Sequence, residues 1–144
     1  MQYLRGKVQV SRSCDGCAKC CEGWLLGNVN GHAFYRGRPC FYLKKTCSIY
    51  ESRPDVPCRS YKCGWLDDIQ FPEWMRPDLI NVIINRVTHK NINYYVLVEA
   101  GSLLDVRVLN WMVQWAINNN QNLMYYIDSG ENRIGSKEFL EMTE

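Results

Sequence analysis

The residues richest in chemistry are eight cysteines, all between Cys14 and Cys63. Four stand in one run, Cys14-Asp-Gly-Cys17-Ala-Lys-Cys20-Cys21, and the others follow singly at Cys40, Cys47, Cys58 and Cys63. A two-residue spacer lets both thiolates of a pair turn toward one ion across a tight turn, and Gly16 is placed for such a turn. Three thiols at this spacing also match the way one segment grips three corners of an iron–sulfur cube and leaves the fourth to a remote ligand. In an extended segment neighbouring side chains point to opposite sides, so Cys20 and Cys21 are expected to serve two centres or one polynuclear centre. Eight thiols divide into two groups of four, with Cys14, Cys17 and Cys20 forming most of one. Cys21 would join downstream cysteines in the other. Zinc, iron as a single ion, iron in a cluster, and disulfide pairing are all compatible with the spacing alone.

The elements that must position these thiols are irregular. Residues 1–66 hold every cysteine, and Gly16, Gly23, Gly27, Gly31, Gly37 and Pro39 interrupt any long element. Such a segment buries little core by itself and needs staples, of which metal is one kind. Residues 67–78 read as a linker rich in proline and aromatic residues, with Phe71 and Trp74 packing it onto a neighbour. Residues 79–144 read as a small α+β extension. Leu79 to Thr88 and Ile92 to Glu99 are expected to be strands joined by a turn at His89, Lys90 and Asn91. A helix capped by Ser102 would bury Leu104, Val108, Trp111 and Trp115 and end at Asn118-Asn119-Asn120. Leu123 to Ile127 would form a third strand, and Lys137 to Met142 a final helical turn. The fold class expected is therefore α+β: an irregular, metal-stapled, cysteine-rich N-terminal half, then a small antiparallel sheet with one amphipathic helix.

The net charge of +2 hides an asymmetry. Residues 1–66 hold eleven Lys/Arg and four Asp/Glu, and the remainder holds six and eleven. A basic half points toward nucleic acid. Four-thiolate metal sites offer another account, since each would carry negative charge for the cations to offset. Met1 to Val10 carries Arg5 and Lys7 with no apolar block after them, and no apolar run is long enough to span a bilayer. A cytoplasmic location, where thiols stay reduced, is the expectation, and it weighs against disulfides.

Several separate motifs occur in one order: the C-x-x-C-x-x-C-C run, Pro39-Cys40-Phe41-Tyr42-Leu43, Cys47-Ser48-Ile49-Tyr50-Glu51, Arg53-Pro54 and Cys58-Arg59-Ser60-Tyr61. Together they resemble the YkgJ-type cysteine-cluster family, whose members are described as zinc- or iron-chelating proteins. The resemblance spans about residues 14–66. It implies chelation through the clustered cysteines and supplies no reaction. Cys63 lies beyond the family's shared set, which ends at Cys58-Arg59.

Tyr50, Arg53 and Arg59 are read as supports for the ligand loops, donating hydrogen bonds toward sulfur; the alternative is a solvated loop. His32 lies between the two cysteine sets as a further donor, and Asp67–Asp68 is a lone acidic pair. No phosphate loop, hydrolytic triad or H-E-x-x-H pattern is visible. The function expected is metal binding in a structural or metal-handling role. The rivals are an iron–sulfur redox protein or enzyme accessory, and a zinc-dependent nucleic-acid-binding module using Phe34, Tyr35, Phe41 and Tyr42 for stacking. If the chain is an enzyme, it would be an iron–sulfur oxidoreductase. A protein partner would use residues 79–144.

Overall fold

The computed structural model describes residues 12–13, 17–22, 24–35 and 38–143. Cys14 and the turn glycines Gly16, Gly23 and Gly37 lie outside the described residues. The chain divides into two compact units, Met1–Arg76 and Pro77–Glu144. The boundary falls inside the segment read as a linker.

The first unit is mostly turns. Its only paired strands among the described residues are β1 (Gly27–Val29) and β2 (His32–Phe34), an antiparallel hairpin. Asn30 and Gly31, with φ of 50° and 87°, form the two-residue turn between them. Both central residues of this turn type need positive φ, which is why Asn-Gly is so strong a hairpin signal. A helical turn covers Lys19–Cys21 and another Tyr50–Ser52; an irregular one over Asp55–Arg59 is kinked at Val56. The short helix α1 (Gly64–Asp67) follows.

Cysteine is part of the small core here. Val29, Phe34 and Cys40 are buried together, with Cys21, Leu25, Tyr42, Leu43, Ile49 and Cys58 packed against them. The Cys40 amide donates to the Cys21 carbonyl at 2.7 Å, tying the two cysteine sets together. Arg12 holds the end of the unit. Its guanidinium donates to the carbonyls of Trp65, Asp68 and Phe71 and lies 4.3 Å above the Trp65 ring. In residues 67–76, Phe71 and Met75 are fully buried and Trp74 is exposed. The sequence reading chose Trp74 where Met75 does the packing; Met75 closes the helical turn Glu73–Met75 on its inner side.

The second unit is a four-stranded sheet with helices. The helix α2 (Pro77–Ile80) leads into β3 (Val82–His89), so the predicted strand start at Leu79 is corrected by one short helix. β4 is Ile92–Glu99, α3 is Val106–Asn118, β5 is Leu123–Ile127, β6 is Gly130–Ile134 and α4 is Lys137–Glu141. The strand order is β3-β4-β5-β6. β3–β4 and β5–β6 are antiparallel, but β4 and β5 run parallel, with Tyr95 opposite Leu123. The sheet is thus mixed rather than purely antiparallel. Parallel neighbours need a crossover, and α3 is long enough to supply it.

The two hairpins turn at Lys90–Asn91 and Asp128–Ser129, all four at positive φ. Tyr94 and Tyr95 are adjacent and point to opposite faces. Trp115 of α3 meets Tyr95 edge-on at 5.3 Å, and Phe139 of α4 lies 5.0 Å from Tyr94. The helices therefore cover opposite faces, and β3 buries Val82, Ile83 and Ile84 in succession instead of alternating. Gly135, at φ 150°, fixes the entry to α4. A side chain there would run into Asn122, whose amide oxygen accepts from the Ser136 amide at 2.9 Å.

Candidate metal centre

The thiols sit on turns rather than on long elements. Cys20 and Cys21 lie on the Lys19–Cys21 turn, Cys58 on the irregular Asp55–Arg59 turn, and Cys63 at the residue preceding α1. Cys40 is buried, and Cys17, Cys20, Cys21, Cys47, Cys58 and Cys63 are half-buried. Cys20, Cys21, Cys40, Cys47, Cys58 and Cys63 carry free thiols.

Electrostatics shows which of them are neighbours. A hydrogen bond with Cys21, then burial, holds the Cys20 thiol far above its ordinary range, against a lowering influence from Arg53. Burial pushes the Cys58 thiol up to about 11, and the neighbouring thiols of Cys20, Cys40 and Cys47 add to it, with Arg53 again opposing. Burial likewise pushes Cys63 up to about 11. There Cys17 and Cys20 raise it further, while the backbone amides of Leu66 and Trp65 partly offset the rise. The phenol of Tyr61 is held above its usual range by burial and by the thiols of Cys63 and Cys20. Cys20 is thus shared between one neighbourhood with Cys40, Cys47 and Cys58 and another with Cys17 and Cys63. The adjacent pair Cys20–Cys21 is joined by a hydrogen bond within one helical turn, so the extended geometry assumed for it from sequence does not apply.

The donor chemistry of this region fits a soft or borderline metal, because sulfur dominates it. Among the described residues, no three His, Cys, Asp or Glu side chains are grouped closely enough to hold one ion. Cys14, a member of the expected first group, lies outside the described residues.

The residues read as loop supports adopt specific positions. The Arg53 guanidinium lies 3.6 Å above the Tyr50 ring and donates to the Tyr50 carbonyl at 2.8 Å. Arg59 donates from Nε to the Arg53 carbonyl at 2.9 Å and from an Nη to the Glu51 carbonyl at 2.6 Å. The Tyr50 hydroxyl is 2.9 Å from Ser13 Oγ. These bonds brace the loop 50–59, and Arg53 reaches the sulfurs through its charge. His32 stacks on Phe41 with ring centres 4.0 Å apart and meets Tyr42 edge-on at 5.5 Å. Of the aromatics read as stacking residues, Phe34 is buried in the core and so is not available to a base; Phe41 is 62% exposed. The Asp68 carboxylate accepts from the Gln70 amide in its own loop, and no metal-holding group of three donors includes Asp67 or Asp68 among the described residues.

The sequence reading missed Arg12 as the clamp on residues 65–71, because its partners lie 53 to 59 positions away and are backbone carbonyls. It also missed the β1–β2 hairpin, although Asn30-Gly31 carried its signal. Comparison with protein-family models, with curated proteins and with solved structures finds no match. No helix among the described residues is long and apolar enough to cross a membrane.

Proposed function

We propose that this is a metal-binding protein of the YkgJ type, holding zinc or iron through clustered cysteine thiolates in a structural or metal-handling role. The observation that carries the reading is the neighbourhood of Cys20, whose thiol acts on Cys58 and Cys63 from within a segment of small core. The ligand set is drawn from Cys14, Cys17, Cys20, Cys21, Cys40, Cys47, Cys58 and Cys63. Zinc would cross-link the turns; iron in a cluster would add electron transfer. Arg53 lowers the cost of gathering thiolates, and Tyr50 and Arg59 hold Arg53 and its loop in place. The thiols of Cys20, Cys58 and Cys63, held above their ordinary range, would release their protons on metal uptake.

The test is elemental analysis with an absorption spectrum after anaerobic purification. Stoichiometric zinc without colour assigns a zinc site; iron with sulfide and a brown colour that bleaches on reduction assigns the redox alternative. Protein that retains neither metal under reducing conditions sinks the chelation reading.

A nucleic-acid-binding role is the second reading, supported by the exposed ring of Phe41 stacked on His32. It requires binding to single strands that falls steeply with salt and weakens on Phe41→Ala. A protein partner through the second unit would find Leu103 and Val106 exposed at the start of α3.

A further inference from the structure

The loop that carries Cys58 also walls a cavity of about 370 Å³, lined by Tyr50, Arg53, Cys58, Arg59, Tyr61 and Lys62, with one carboxylate, Asp67. If its cations served only to offset thiolate charge, each should act on sulfur. Arg53 does so, on Cys20 and on Cys58. Arg12, also in the wall, is engaged by three backbone carbonyls. Arg59 and Lys62 are not among the cations that act on Cys20 or Cys58. Arg59 is braced by its bonds to the carbonyls of Arg53 and Glu51, and neither it nor Lys62 meets a carboxylate among the described residues. A guanidinium held by carbonyls through Nε and one Nη keeps its charge and its remaining Nη hydrogens for an oxyanion, and the ammonium of Lys62 in the same wall adds a mobile point charge.

We infer that this cavity binds a small oxyanion ligand, a phosphate or a carboxylate, between Arg59 and Lys62, with Cys58 in the same wall. The site stands apart from the metal proposal and shares only that wall. Its position lets a ligand's anionic group reach the thiol cluster's edge without displacing a cysteine.

The test is amide chemical-shift mapping on the isotopically labelled full chain, as purified, titrated with inorganic phosphate and separately with succinate at low ionic strength. Saturable shifts concentrated in residues 50–67 are expected, weakening as salt rises. A response to phosphate alone assigns a phosphoryl ligand, to succinate alone a carboxylate, and to both the shared oxyanion chemistry. Lys62→Glu should weaken binding about tenfold or more, since it reverses a charge without removing a hydrogen bond. Arg59→Gln should do the same, and Lys44→Gln/Lys45→Gln, outside the cavity, should leave affinity unchanged. No saturable shift with either anion, shifts spread over all surface lysines, or unaltered binding in Lys62→Glu would each overturn the site. Metal per protein, measured on the same samples, should not change in Lys62→Glu; a fall would show that this cation serves the thiols and would also overturn it. Metal-free parent protein that still binds phosphate would refute the metal reading and leave this one standing.

Discussion

Cys20 acts on Cys58, on Cys63 and on the phenol of Tyr61, so its substitution reaches both neighbourhoods of thiols at once. Serine is nearly isosteric with cysteine but a poor ligand to zinc or iron. Cys20→Ser should therefore lower metal per protein more than Cys47→Ser, as measured after anaerobic gel filtration; equal retention in the two would remove Cys20 from its central place. Cys63→Ser should cost as much as Cys17→Ser, since the two thiols are neighbours and the amides at the start of α1 face Cys63. The resemblance had left Cys63 beyond the shared set, which ends at Cys58-Arg59. The density and spacing of the thiols made their gathering an expectation; Cys20 does act on Cys58 and Cys63, while no three donors among the described residues group closely enough to hold one ion. Which cation would face them was not legible, because Arg53 is placed by stacking on Tyr50 and by a carbonyl, and neither contact has a sequence pattern.

Among elements, α3 was legible in its existence and its end at Asn118, and only partly in its start, cap and face. Ser102 was read as its cap, but Asp105 takes that place, its carboxylate accepting from the Arg107 amide at 2.7 Å. The side chain and amide of Arg107 lower the Asp105 pKa. A carboxylate lowered in this way adds stability above its unfolded pKa, and that contribution is lost as pH falls through the folded value. Thermal unfolding should thus show Asp105→Ala less stable than the parent near neutrality, with the gap closing in acid. Asp105→Asn should keep much of the cap and lose the pH dependence. The buried stripe is Val108, Met112, Trp115 and Ala116, where Leu104 and Trp111 had been included. A helix that begins at Val106 leaves Leu104 outside it. Met112 is fully buried, so Met112→Ala should cost about 2–5 kcal/mol, read by urea unfolding. Leu104→Ala should cost far less. Strand β6 went unread because Asp128-Ser129-Gly130 and the polar residues after it looked like loop; its edge position tolerates Glu131 and Asn132.

At the scale of the whole molecule, the two units differ in what can hold them. The first has a small core shared with cysteines, and the second has Val82, Ile84, Leu97, Met112, Leu123 and Phe139 fully buried. Chelation under reducing conditions should therefore raise hydrogen exchange across residues 17–66 and leave β3, β4, α3 and β5 protected. Equal loss of protection in both units would contradict this division. The parallel pairing of β4 with β5 also imposes a time order on the second unit. Each hairpin closes through a two-residue turn, an event of microseconds, whereas the seam between them can form only after α3 has been laid down and folded back. With the crossover as the slow step, substitutions along the Tyr95–Leu123 seam should slow refolding in stopped-flow measurements, while those at the tips of the hairpins should chiefly speed unfolding.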